Sequence, residues 1–329
     1  MARSHLTLAA LATSAVAELD LVSAAEFGSR VDNEYDSALL TGRDGRHWII
    51  RIPRNAAAEA AQSADLVALR AISAGVRTRL PFAVSNFVGQ TPVGSTRAVV
   101  YEFVYGTKFS LSHVEQSLAE SIGESLAALH ALPTSFVADA GLPVFATPDC
   151  LRSAVSIIDR AAATGRVPAP LLSRWEAATE DTKLWQFQPA VINNSLSADS
   201  FLSSDGVVTG LLGWQDLRVG DAARDLSWLL GAPEEVADSA FDAYHAVRGS
   251  GDRHLRQRAK LYAELEIAKW LLHGTETRST EIVDDAVEML SALVDSTLND
   301  VMNPLNPQTM EVMAVEDVEA LLDRTERAV

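Results

Sequence analysis

Residues 208–226 read VTGLLGWQDLRVGDAARDL, and shortly before them residues 191–202 read VINNSLSADSFL. Each is an apolar run opening into a polar loop, one at Gly213-Trp214-Gln215-Asp216 and the other at Asn193-Asn194-Ser195. Asp205-Gly206 lies between them as a hairpin turn. The pair has the outline of a site for a phosphorylated nucleotide, yet neither loop carries an acidic group where that chemistry needs one.

Around these loops the chain is helical. Ser112-His113-Val114-Glu115 has the form of a capping box, and Leu118, Ile122, Leu126 and Leu129 recur at helical spacing until Pro133. Helices are expected at 150–163, 170–180, 222–230, 234–248, 254–273 and 279–300. Leu261, Leu265, Ala268 and Leu272 share one face, with Gly274 placed as a C-terminal cap. Asn303-Pro304 to Asn306-Pro307 breaks the chain before a last amphipathic helix, which either docks on its own domain or binds a partner.

Upstream the period changes. YDSALLT (35–41) and RHWIIRI (46–52) flank Arg43-Asp44-Gly45 as a β-hairpin, and Pro53 ends the second strand. A helix over 55–72 follows, then strand-like runs at 80–89 and 97–104 rich in β-branched and aromatic residues, then Gly106. The fold class is therefore α+β, bilobal: a small antiparallel lobe with one main helix over 1–104, a helical lobe over 105–302, and a linker with a C-terminal helix over 303–329. The hinge falls at Glu102–Gly106, where strand period gives way to helical period.

Composition bounds the function. A chain of 329 residues, 48% hydrophobic, buries a substantial core. Its formal charge of −17 argues against nucleic acid or an anionic membrane as partner, since both require a basic surface. One cysteine, Cys150, makes no internal disulfide and no thiolate metal site, which fits the cytoplasm. The opening MARSHLTLAALATSAVAELD has features of a secretion signal, but Thr13 and Ser14 interrupt its short apolar run. It reads better as a helix with Leu6, Leu8, Leu11 and Val16 on its buried side, and no run reaches the ~18 apolar residues of a membrane span.

HWIIRIPRN, RLPFAV, AVVYEFVYG, ESLAALHALP and GDAARDL, in this order and spacing, resemble the aminoglycoside phosphotransferase superfamily, and RHWIIRIPR with RLPFAV most resembles its macrolide phosphotransferases. The resemblance spans about residues 20–300 and implies a protein-kinase-like fold that uses ATP or GTP with magnesium to phosphorylate an antibiotic hydroxyl. It implies that Arg51 meets the phosphates and that the hinge residues Glu102 and Val104 meet the purine. His130 matches a histidine of the packed helix.

Residue by residue, the same resemblance turns against catalysis. The family's catalytic loop, His-Gly-Asp-x-x-x-x-Asn, reads Asn193, Asn194, Ser195 and Ser200, so the base position is Ser195 and one metal-ligand position is Ser200. Ile-Asp-Trp reads Leu212-Gly213-Trp214, which removes the second magnesium ligand. The frame persists in Trp214, Asp221 and Asp225, the first aspartate expected to cap the next helix and the second to tie it to the catalytic loop. Arg51 lacks its usual helix carboxylate, because Ser63 takes that place and Glu59 lies a turn away. The first hairpin, EFGSRVDNEYD, is acidic where a phosphate-covering loop favours glycine.

A positioned base is worth ~10²–10⁴-fold in rate and metal stabilisation of the phosphoryl group several kcal/mol more. The expected protein is thus a pseudokinase acting by binding a small molecule or a protein, with no cofactor firmly implied. The alternative is an active ATP- or GTP-dependent phosphotransferase with Asp199 or Asp216 as relocated magnesium ligands. A nucleotidyl-transferring enzyme is a third class, for which no residue speaks.

Overall fold

The computed structural model of the protein describes residues 3–28, 34–249 and 251–299. The expected C-terminal helix and the tip of the first hairpin lie outside the described residues.

The first lobe runs α1 (His5–Ala15), β1 (Leu21–Glu26), β2 (Tyr35–Gly42), β3 (His47–Pro53), α2 (Ala56–Ala71), α3 (Ala74–Arg77), β4 (Ala83–Val84), β5 (Phe87–Val93) and β6 (Thr96–Glu102). Five strands form one antiparallel sheet in the order β1-β2-β3-β6-β5. Strand alternation gives the sheet two buried faces. Leu40, Trp48, Ile50, Ile52, Ala98 and Val100 pack under α1, whereas Val99 and Tyr101 join Leu66 and Leu69 of α2 in the main core. Asn55 caps α2 by accepting from the Ala58 N–H at 2.7 Å.

Helix α1 buries Leu8 and Ala12, one turn apart, while Leu6 is 68% exposed and does not belong to the apolar face expected of it. Its start is fixed by Ser4, whose Oγ accepts from Thr7 N, and by Arg3, which pairs with the buried Asp36 of β2 at 3.0 Å. Arg54 holds the other Asp36 oxygen. The expected strand over 80–89 is split. Its first part, β4, leaves the sheet to pair in parallel with Gly210 and Leu211 of the other lobe, and only β5 stays.

The second lobe carries α4 (Gln116–His130), α5 (Ser135–Asp139), α6 (Thr147–Ala163), α7 (Ala169–Glu180), β7 (Ala190–Ile192), β8 (Phe201–Ser204), β9 (Val207–Leu211), β10 (Arg218–Gly220), α8 (Ala223–Leu226), α9 (Glu234–Arg248), α10 (Leu255–Thr277) and α11 (Thr280–Asn299). All four apolar residues named for α4 and all four named for α10 are buried in one core. The capping box does not form: Leu111–His113 is a 3₁₀ turn, Ser112 Oγ meets Ser110 Oγ and His113 Nδ1, and α4 starts after Glu115. Nor does Gly274 cap α10. It sits inside the helix where α11 crosses closely, and Arg278, at φ 56°, ends the helix instead. The helix expected over 222–230 is the short α8 followed by a 3₁₀ stretch over Ser227–Gly231.

The lobes meet at the segment after β6. Thr107 and Ser203 exchange backbone hydrogen bonds of 2.9 and 3.0 Å, tying this segment to β8. Gly106 has φ 142°, and a Cβ there would collide with Thr209 Oγ1. No helix among the described residues is long and apolar enough to cross a membrane.

Candidate functional site

The cleft between the lobes is a cavity of about 910 Å³. Its roof is Ile49 and Arg51 of β3, its rear wall Gln62, Asp65 and Leu69 of α2, its side the Glu102–Val104 segment, and its floor Leu202, Leu212, Gly213 and Trp214. Alternation along β3 turns residues 49 and 51 into the cleft while 48, 50 and 52 face α1.

Below the floor, the two loops are fixed by a buried aspartate. Asp225 accepts from the backbone N–H of Asn193 at 2.7 Å and of Asn194 at 2.6 Å, and lies 3.2 Å from His130 Nε2. The other His130 nitrogen meets the Tyr244 hydroxyl at 3.0 Å. Asn193 Nδ2 donates to the Gly213 carbonyl at 2.7 Å, so one amide locks loop to loop. Asn194 occupies the left-handed region at φ 74°, where Asn is among the better tolerated residues. Trp214, nearly fully buried, donates from Nε1 to the Leu211 carbonyl.

Asp221 accepts from Ala223 N at 3.0 Å, at the start of α8, and is gripped by both Nε and Nη2 of Arg258 and by the Tyr262 hydroxyl. Arg258 is itself wholly buried and also binds Asp252 and the Leu184 carbonyl. Burial pushes the Cys150 thiol nearby up to about 11, so it stays protonated at neutral pH.

Residues 24–262 match the phosphotransferase enzyme family. The chain belongs to that family. It is 24% identical over 272 residues to the uncharacterized protein YcbJ of Bacillus subtilis (strain 168), covering 76% of this chain and 85% of that one. The fold is that of the macrolide 2'-phosphotransferase MphH from Brachybacterium faecium, with a TM-score of 0.69 at 21% identity over 87% of this chain and 98% of that one. A macrolide 2'-phosphotransferase type I gives 0.69 at 24%, covering 88% and 98%. The GDP complex of wild-type aminoglycoside 2'-phosphotransferase-IIIa gives 0.68 at 18%, covering 90% and 100%.

Against the phosphotransferase frame, the donor set does not suit magnesium. Ser195 Oγ lies 3.3 Å from Asn193 Oδ1 and 3.4 Å from Gln215 Nε2, Ser200 Oγ accepts from Ser197 N, and Gly213 brings no side chain. A hard cation of this kind takes oxygen ligands and relies on carboxylates. The two carboxylates on these loops do not converge on the motif positions: Asp199, 79% exposed, lies 3.2 Å from Lys108 Nζ, and Asp216 lies 3.1 Å from Arg218 Nη2. Among the described residues no group of three or more His, Cys, Asp or Glu is arranged to hold a metal.

The sequence reading passed over Gln62 and Asp65. Ser63, taken there as the residue opposite Arg51, instead accepts from Arg97 Nη2 at 2.6 Å, and Glu59 makes no ion pair with Arg51 among the described residues. Asp65 Oδ1 accepts from Trp214 N at 2.9 Å, bridging α2 to the Gly213 loop. Burial pushes the Asp65 carboxyl pKa up, against the opposing pull of the Trp214 N–H and the Arg51 charge. Gln62 is 3% exposed, and its Oε1 has no hydrogen-bond partner, an omission that typically costs about 1–3 kcal/mol. Helical spacing was the available signal, since residues 58, 62, 65 and 69 share the inward face of α2. Glu102 turns its carboxylate to Arg46 and Asn86, so it brings no free side-chain charge to the cleft. Val104 lines the cleft beside it.

Proposed function

We propose that this protein is a pseudokinase of the phosphotransferase family: it keeps the two-lobed cleft, lacks ordinary magnesium-dependent phosphoryl transfer, and works by binding a small molecule or a protein. The observation that carries this reading is the state of the loops. Ser195, Ser200 and Gly213 stand at the base and metal positions, while of the carboxylates on the same loops Asp199 is 79% exposed beside Lys108 and Asp216 pairs with Arg218. Serine does not substitute for the aspartate, because its hydroxyl is a poor proton acceptor at neutral pH. Loss of base and metal together takes a kinase from ~1–100 turnovers per second to a rate of little use. The acidic chain, with its single buried thiol, suits a reducing cytoplasm and partners other than nucleic acid or anionic membrane.

The test is transfer of labelled γ-phosphate from ATP and GTP, with and without magnesium, to water, macrolides and aminoglycosides, the last two being the classes named for the structural neighbours. No transfer above the protein-free rate is expected. Magnesium-dependent turnover at an ordinary kinase rate, lost in Asp199→Ala, Asp216→Ala or Asp65→Asn, would replace this reading with that of an active enzyme using relocated ligands.

A further inference from the structure

A second, smaller cavity of about 200 Å³ opens beside the loop that carries Ser195, and it shares no lining residue with the large cleft. Asn194 lines it, together with Arg218 of β10, Arg224 of α8 and Lys269 of α10. Cations from three elements thus converge on a space that suits one small group. Burial lowers the Arg218 pKa, and the charge of Arg224 acts in the same direction, against the pull of Asp216. The two guanidinium groups therefore repel each other, a strain that a bound anion would relieve.

The carboxylates around the cavity leave one cation over. Asp216 pairs with Arg218, and Glu266 pairs with Lys269. Asp221 also lines the cavity, but it is wholly buried and both of its oxygens are engaged. Oδ1 accepts from Ala223 N and Arg258 Nη2, and Oδ2 accepts from Arg258 Nε and the Tyr262 hydroxyl. Asp225, whose charge reaches Arg218, is buried and takes the backbone N–H groups of Asn193 and Asn194. Arg224 is different. It is half-buried, and among the described residues its guanidinium makes no ion pair and no hydrogen bond. It lies over the Tyr262 ring, 4.4 Å from the centre. Stacking uses the face of a guanidinium and leaves the N–H edge, the part that grips a carboxylate, free. Ser153 Oγ and the Asn194 side-chain amide line the same cavity and likewise form no hydrogen bond among the described residues.

We propose that this cavity is a recognition site for a carboxylate group carried on a small molecule, gripped by Arg224 with Arg218 and Lys269 beside it. One negative charge matches the one guanidinium left over, which favours a carboxylate above a phosphate dianion. Phe145, Ile157 and Ile192 offer apolar contact to the carbon atoms next to it. A chain of formal charge −17 repels anions in general, so anion binding here would be local to the pocket. The proposal stands on these residues alone and goes beyond the reading of the large cleft.

Acetate and benzoate, each set against its neutral amide, test it, with inorganic phosphate as a further probe. All are titrated into the full-length protein at pH 7 and constant ionic strength, followed by ligand-observed NMR and by melting temperature. At least one carboxylate should bind saturably, at least about tenfold more tightly than its amide or phosphate, and raise the melting temperature. Arg224→Gln should weaken that carboxylate at least about tenfold and abolish its effect on melting, whatever the variant's own starting stability. An arginine kept only to cover Tyr262 would instead lower the melting temperature and leave carboxylate affinity as it was. Lys269→Gln, at the more exposed side of the cavity, tests the same point without disturbing the Tyr262 stack and should weaken the carboxylate about threefold. No saturable binding of either carboxylate, an amide or phosphate bound as tightly, or an affinity unchanged in both variants overturns the proposal.

Discussion

Gly213 shows how readily the loop would accept a carboxylate. Its φ of 74° is costly for most residues, about 1–2 kcal/mol, and least so for Asp or Asn. A Cβ there would meet only the flexible Gln215 side chain, at 3.4 Å. Ser195 is less permissive, since a carboxylate at that position would face Asn193 Oδ1, whose amide is pinned by the Gly213 carbonyl. Ser195→Asp alone is therefore expected to lose stability and gain nothing in nucleotide binding. Ser195→Asp, Ser200→Asn and Gly213→Asp together should create magnesium-dependent ATP binding, seen as calorimetric heat absent from the wild type and from each single variant, because such groups act as a unit. Asp65 gives a second test at this scale. Its folded pKa is raised above the ordinary 3.8, so between those values the native state holds a proton that the unfolded chain has released. Stability from this group is present below the ordinary value and lost as pH rises through the raised one. Asp65→Asn keeps the acceptor for Trp214 N and removes the buried charge, so its melting temperature should exceed the wild type's at pH 7, with the difference closing by about pH 4. The serines and glycine at the motif positions were legible because those positions are local in the chain; Asp65 was not, since its significance comes from a contact 149 residues away.

Among the elements, helices and strands were legible where one period ran long enough, as in α4, α10 and the β2–β3 hairpin. Misreadings came where tertiary contact decides. Gly274 resembles a cap in sequence, yet a Cβ there would lie 2.8 Å from Ile282 Cγ2 and 2.9 Å from Val283 N, so the glycine is what lets α11 approach α10. Arg258 lies one turn from the apolar stripe and gives no sign in sequence that it is wholly buried. It joins α10 to the start of α8 through Asp221, and α8 in turn holds the catalytic loop through Asp225. On the proposed reading, this chain of contacts is what keeps the frame once its chemistry is gone: both aspartates support the fold. Asp221→Ala would leave the Arg258 charge buried with Asp252 as its remaining carboxylate, and is expected to cost about 3–5 kcal/mol in urea denaturation. Asp199→Ala breaks only the exposed pair with Lys108 and should cost under about 1 kcal/mol. Equal losses would mean that the buried network is not what supports the loops.

At the scale of the whole molecule, the two-lobe plan was legible because strand period stops near Glu102 and helical period takes over. The ties across the cleft were not legible, because β4 is a two-residue strand and the Asp65–Trp214 bond has no sequence pattern. A chain of formal charge −17 will nevertheless respond to any cation, and that response must be separated from a bound metal. Diffuse screening depends on valence and concentration, so calcium should do what magnesium does, and sodium chloride at sufficient ionic strength should approach both. A liganded magnesium site would discriminate, since magnesium demands compact octahedral geometry whereas calcium accepts wider, looser coordination. Melting temperatures are therefore expected to rise equally with magnesium and calcium at matched concentration, and ATP or GTP should add no magnesium-specific increment. An increment seen only with nucleotide and magnesium together would show that Asp65, Asp199 or Asp216 leaves its present partner to hold a metal, and the cleft would then have to be read as that of a working phosphotransferase.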